Sequence, residues 1–241
     1  MSSYVLKDAD IRYNGLDITG ILNQVTIEYG AELQDRTTLN SATRQRLAGL
    51  LDAKVNCNGF WDDDFDSELF ASIGRTANGV VSIAPNNAEI GARGFTMLAQ
   101  SATYTKSGNV GDMAQVALNF ESDSLLVRGK VGQNGSISAN GNSGGILLDS
   151  APSGGFIYGS VHVTSLAGTD TPTINFFVDS SSTIDFGVST NRITFDAMTA
   201  IGAQQDFLAG PITDEFWRLR WTVSGTNPVF SVFAVLGISQ R

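Results

Sequence analysis

Residues 212–238, ITDEFWRLRWTVSGTNPVFSVFAVLGI, decide the fold class of this chain. Trp217, Leu219, Trp221 and Val223 alternate with Arg218, Arg220, Thr222 and Ser224, the period of two that marks a strand with one buried face. Gly225-Thr226-Asn227-Pro228 is a run of turn formers and predicts that the chain reverses there into a β-hairpin. The return strand, Val229 to Ile238, is apolar on both faces, with Phe230, Val232, Ala234 and Leu236 on one and Val229, Phe233 and Val235 on the other. Such a strand needs cover on both sides, from its own domain or from a neighbouring subunit. Nothing in the hairpin is catalytic. Its chemistry is packing, which points to a structural role.

The same style extends upstream. Strands are predicted near Gly145–Asp149, Phe156–Ser165, Thr173–Asp179 and Arg192–Asp196, separated by turn formers. Short strands with this punctuation suggest a sandwich or jelly roll. Charge density changes near residue 130: up to Lys130 there are 11 Lys/Arg and 16 Asp/Glu, and beyond it 4 and 8. Gly129-Lys130-Val131-Gly132-Gln133-Asn134-Gly135 reads as a linker. The expectation is therefore a first domain over 1–130 and a C-terminal β-sandwich domain over 131–241.

The first part opens with a predicted hairpin, Ile11-Arg12-Tyr13 and Leu16-Asp17-Ile18 around Asn14-Gly15, a dipeptide that tolerates the positive φ angles of a type I′ turn. Val25, Ile27 and Tyr29 alternate as the next strand. Gly30 to Arg46 is polar and mixed in charge, long for a connection in a compact domain, and so a candidate functional arm or loop. Alternation at Ala53, Val55 and Cys57 predicts a strand up to Trp61. A short helix, Ser67 to Ile73, is expected with Asp66 as its cap and Gly74 at its end. Strands follow at Val80–Pro85, Gly94–Lys106 and Ala114–Ser122.

Composition bounds the class. A chain of 241 residues with 42% hydrophobic residues can bury a real core. No run approaches the roughly 18 apolar residues of a membrane span, and the opening MSSYVLKDADIRYNG lacks the basic-then-apolar pattern of a secretory leader. Synthesis in the cytoplasm and no membrane partner are the expectations. The net charge of −9 argues against a duplex-binding surface, which needs clustered Lys and Arg.

Candidate chemistry is sparse. His162 is the only histidine, whereas a zinc site needs several ligands and a Ser-His pair an orienting carboxylate; a strand histidine on a polar face is the better reading. Cys57 lies between Asn56 and Asn58 with no cation nearby, which makes it a packed thiol rather than a nucleophile. Asp62-Asp63-Asp64-Phe65-Asp66-Ser67-Glu68 is rich in carboxylates, but the calcium-loop register would want Gly and Glu where Ser67 and Ile73 stand. A helix N-terminus favours these acids without any metal. Gly144-Gly145 and Gly154-Gly155 lack the lysine and helix of a phosphate loop and read as turns. Phe156, Tyr158, Phe176 and Phe177 are either core or a sugar-binding face. No nucleophile motif or spaced carboxylate pair supports a hydrolase, so the chain is read as a non-enzyme without a cofactor.

The order of features resembles the major tail tube proteins of long, non-contractile-tailed bacteriophages. The resemblance rests on ADIRYNGLDITGILNQVTIEYGAE, the polar segment through Thr37-Thr38, VNCNGFWD, the helix DSELFASIG and GFTMLAQSATYTKSGNVGDMAQVALNFES. The closing RITFDAMTAIGAQQDFLAGPITDEFWRLRWTVSG and VFAVLGI look like the appended C-terminal region of many such proteins. The resemblance implies a mainly β fold, a sandwich or barrel with one short helix and a long loop. It further implies hexameric rings stacked into a hollow virion tail tube through which DNA passes without specific binding. Tape measure, tail terminator and tail-tip proteins are the implied partners. It places Glu32, Leu33, Gln34, Asp35, Arg36, Thr37, Thr38, Leu39, Asn40, Arg44 and Arg46 in a loop between subunits. A cyclic ring contact closes while a head-to-tail stacking contact stays open, so one subunit can build a filament. A glycan-binding adhesin or receptor-binding virion protein on the same kind of sandwich is the competing class.

Overall fold

The computed structural model describes residues 8–239; the first half of the opening stretch read for a leader lies outside them. The chain is mainly β. Its strands are β1 (Asp10–Tyr13), β2 (Leu16–Asp17), β3 (Leu22–Asp35), β4 (Arg46–Phe60), β5 (Gly79–Ala84), β6 (Arg93–Ser107) and β7 (Gln115–Ser122). They continue with β8 (Val127–Ile137), β9 (Gly141–Asn142), β10 (Ile146–Leu147), β11 (Phe156–Ser181), β12 (Thr190–Thr194), β13 (Gly202–Ala209) and β14 (Phe216–Ser239). The helix α1 is Asp63–Ser72. Two compact units interleave along the sequence: one takes in residues 8–20, 79–98 and 127–239, the other Ile21–Asn78 and Ala99–Leu126.

In the first unit the decisive stretch does not form a hairpin. Residues 216–239 are one strand, paired antiparallel with β11 from Phe156 opposite Ser239 to Ser181 opposite Phe216. The turn formers are still used. Thr226 faces Thr169, and both strands lose regular register there. Gly225, Asn227, Gly168, Asp170 and Thr171 all take positive φ. Two aligned irregularities bend the ribbon instead of reversing either strand. A turn signal reports a change of direction, and only the partner strand decides between reversal and corner.

The halves of the bent ribbon share one core. Val161, Val163, Phe230 and Val232 from one half join Ile174, Phe176, Trp217 and Leu219 from the other, which is the packing of a β-sandwich. The double-faced reading holds for Val232 to Leu236, which are all buried, whereas Val229, expected on the second face, is exposed beside the corner. Phe230, Val232, Ala234 and Leu236 enter this core, and Phe233 and Val235 enter a second with Ala84, Ala88 and Val131. The chain thus covers both faces itself. Trp217 and Trp221 donate their indole N–H groups to the carbonyls of Asp149 and Ala139, each at 3.0 Å, so neither buried ring leaves a donor unsatisfied.

The glycine-rich segment read as a linker is strand β8, paired with β14 over residues 130–137 and with β6 over 127–130. A division at residue 130 falls inside it. Its glycines serve close approach: a Cβ on Gly129 would lie 2.0 Å from the Leu236 carbonyl oxygen. The opening hairpin forms as expected, with Asn14 and Gly15 at φ 47° and 88°. Phe156–Ser165 and Thr173–Asp179, read as two strands, are both part of β11, and β13 pairs along the first of them.

The second unit is an antiparallel run in which β7 lies between residues 99–107 of β6 and β4, and β4 pairs onward with β3. The helix begins a turn earlier than predicted. Asp62 is its cap, accepting from the Asp64 N–H at 2.9 Å. Asp66 instead accepts from Trp61 Nε1 at 2.6 Å and from the Tyr104 hydroxyl. Those hydrogen bonds, Trp61 first, hold its carboxyl below the ordinary range. Phe70 packs edge-on to Tyr104, with centroids 6.0 Å apart, which ties the helix to β6.

Candidate assembly arm

Within the second unit β4 pairs with β7 only as far as Lys54, opposite Glu121. The β3–β4 ladder goes on alone from Tyr29 opposite Ala53 to Asp35 opposite Arg46. At about 3.3 Å per residue, this two-stranded arm extends roughly 20 Å past its last β7 partner. Gly30 to Arg46 is therefore a hairpin arm rather than an irregular loop. Of the residues named from sequence, Glu32, Leu33, Gln34 and Asp35 end β3, Arg46 begins β4, and Arg36, Thr37, Thr38, Leu39, Asn40 and Arg44 lie in the tip. The alternation Tyr29, Ala31, Leu33 against Gly30, Glu32, Gln34 was the available signal.

The tip has its own hydrogen bonds. The Asp35 carboxylate accepts from the Thr37 N–H at 2.8 Å, and its pKa is lowered by Thr37, through side chain and then backbone. Arg36 N–H donates to the Gln45 carbonyl and Gln45 N–H to Thr37 Oγ1, both at 3.0 Å. The Thr38 and Ser41 hydroxyls lie 3.0 Å apart.

Paired residues share a face, so Val25, Ile27, Tyr29, Ala31 and Leu33 line one side with Cys57, Val55, Ala53, Leu51 and Ala48. This apolar ladder starts in the core, where Val55 and Cys57 are fully buried, and runs into solvent, where Leu33 is 55% exposed. Leu47 is also exposed, as is Leu50, at 81%. Among the described residues β3 has β4 as its one strand neighbour, leaving an open edge. Isolated two-stranded ribbons are marginal in water, and open edges invite pairing. The opposite face is polar at its base, where Lys54 binds Glu121 at 3.1 Å and is held above its ordinary pKa by that bond, then by the charges of Glu121 and Asp52, and it carries Leu47 opposite Gln34 near the tip.

Other candidates resolve as packing. Cys57 is buried, and burial pushes its thiol up to about 12. His162 is fully buried rather than on a solvent-facing polar side; its Nδ1 accepts from the Gly15 N–H at 3.3 Å and its Nε2 lies 2.9 Å from Ser82 Oγ. Burial first, then the Arg12 charge, lowers its pKa to about 3. Among the described residues no group of three or more His, Cys, Asp or Glu is placed to hold a metal. The four aromatics do not form one face. Phe176 is core, Phe177 lies under the Arg220 guanidinium at 4.2 Å, and Phe156 and Tyr158 cluster with the exposed Phe207. Sequence reasoning also missed a basic cavity formed by Arg93, Arg128 and Lys130.

No family model and no curated protein matches the chain. Among solved structures it is similar to a chain of the virion of a native gene transfer agent particle, with 20% identity, 52% of this chain and 97% of that chain covered, and a TM-score of 0.42. It is also similar to SPP1 Dit, described as a paradigm of hub adsorption apparatus in phages infecting Gram-positive hosts (12% identity, 97% and 100% covered, TM-score 0.40). A third is a chain of the sheath/tube terminator of an extracellular contractile injection system (12%, 53% and 97%, 0.43). Each likeness is distant, so the arm's own geometry carries the functional reading.

Proposed function

We propose that the chain is a structural subunit of a phage-type tail, a tail tube protein that assembles into stacked, hexameric rings around a channel for DNA. The arm carries this reading: a two-stranded ribbon with an apolar face, an open edge and no cover from its own unit. A neighbouring copy supplies that cover. Full burial of a leucine is worth about 1.5–3 kcal/mol, so Leu33 on the apolar face, with Leu50 in the bulge and Leu47 on the opposite face beside Gln34, offers driving force for a specific contact. Glu32 through Arg46 form the contact segment, and the rings join tape measure, terminator and tip proteins in the virion tail. The net charge of −9 suits a channel wall that DNA passes without sticking.

Electron microscopy of concentrated wild-type protein beside a Leu33→Ser/Leu47→Ser/Leu50→Ser variant tests the proposal. Rings or tubes from the wild type alone support it. A wild type that stays monomeric at high concentration overturns it. The glycan-binding reading now rests on the ring cluster Phe156, Tyr158 and Phe207; discrete soluble oligomers with saccharide-dependent thermal stabilisation would favour it instead.

A further inference from the structure

We propose that the first unit carries a binding site for a phosphate-class anion, in the cavity bordered by Arg93, Arg128 and Lys130. In β6 and β8 Arg93 stands opposite Lys130, and Phe95 opposite Arg128. Opposed residues share a face, as do residues two apart in one strand, so all three cations point to the same side. They line an open cavity of about 490 Å³ whose apolar part is Leu147, Leu148 and Ile238.

What distinguishes these cations is that, among the described residues, no carboxylate pairs with them. Arg12 pairs with Asp10 and Asp17, Lys54 with Glu121, Arg192 with Asp214, and Arg218 and Arg220 with Asp179. Arg75 donates to the Ala71 carbonyl, and Lys106 lies over the Trp61 ring. Among the described residues that leaves Arg36, Arg44 and Arg46 on the arm, and the three in the cavity. Among the described residues the one carboxylate at the cavity is Asp149, whose backbone sits at φ 74° with its carbonyl accepting from Trp217 Nε1 at 3.0 Å. Three cations against one anion leave a local excess of positive charge in a chain of net charge −9.

Guanidinium forks and an ammonium converging on a partly walled space are the donors that bind phosphate oxygens with charge-assisted hydrogen bonds. A dianion matches the charge surplus better than a single carboxylate does. The leucine and isoleucine wall fits an apolar portion of the same ligand, so a phosphomonoester or pyrophosphate on a small organic body is the class that fits.

Calorimetric titration of the full chain with inorganic pyrophosphate in low-salt buffer tests this. The expected result is saturable binding of one anion per chain, weakened by salt and at least about tenfold by Arg93→Gln/Lys130→Gln. Acetate should bind far more weakly. An Arg75→Gln variant removes an exposed cation outside both the cavity and the arm and should bind as wild type, and Arg128→Gln, a second change within the cavity, should weaken binding on its own, which keeps the test informative if the first variant is unstable. Absence of saturation, equal affinity for acetate, or equal weakening by Arg75→Gln would overturn the site. Loss of ring assembly plays no part in these readouts.

Discussion

Trp221 stands directly opposite Phe176. In the local hairpin that the turn formers suggest, its partners would lie in residues 229–238. Phe230 is instead opposite Leu166, so the two apolar halves of β14 meet different parts of β11 and come together only through the shared core.

The strand character of β8 has a direct test. Gly129→Ala places a methyl group against the Leu236 backbone and should cost about 2–4 kcal/mol in denaturant unfolding, by the same strain that destabilises overpacked cores. A flexible linker would tolerate the change with no measurable loss.

Asp179 is the acceptor for two arginines, Arg218 at 3.2 Å and Arg220 at 2.8 Å, and is itself buried. Replacing it with Asn leaves both guanidinium groups partly buried without a counter-charge. The expected loss is about 2–3 kcal/mol, below the upper range for buried pairs because Arg220 retains solvent contact. Asp179→Asn and Arg220→Gln should be non-additive in a double-mutant cycle.

His162 should make stability fall in mild acid. Its folded pKa of about 3 lies below the unfolded value of 6.5, so the unfolded chain binds the proton first. This contribution is intact above pH 6.5 and is lost as pH falls from there towards 3. Between pH 7 and 5 the expected loss is about 2 kcal/mol. It should be absent from His162→Gln, read as the difference in unfolding free energy at the two pH values. An equal loss in the variant would assign the acid sensitivity elsewhere.

On the proposed assembly role, the arm should separate stability from assembly. Because Leu50 is largely in solvent, Leu50→Ser should change the unfolding free energy of the isolated subunit by less than about 0.5 kcal/mol. Sedimentation of the same protein should nevertheless show weakened association. A destabilised monomer would show that the leucine serves the subunit's own packing.

Period-two patterns made much of this fold legible, including both Trp-bearing positions of β14, the type I′ hairpin and the strands of the second unit. Partner choice was not legible, because the register of β11 with β14 depends on contacts distant in sequence. Glycine misled at β8 for a related reason. Gly129 and Gly132 look like flexibility in one dimension and are close contacts with Leu236 in three. That reading also hid Arg128 and Lys130, two apart on one strand, from any search for a site. The arm was found as a segment by its length and polarity; the period of β3 runs on through Leu33, but the bulge opposite Ala31 and Leu33 puts an extra residue into β4 and breaks the pattern of the return strand.

The position of β14 also sets an order of events. It is the last of the described strands in sequence, yet it lies between β8 and β11. Until residues 216–239 have been synthesised, those two strands expose hydrogen-bonding edges with no neighbour to join them, and Val131, Val161 and Val163 lack their facing residues. The second unit takes in no residue beyond Leu126, so all of its strands are available earlier on the ribosome. Closure of the first unit is a late, long-range step, and the interval before it is when the nascent chain is most open to mispairing with other copies.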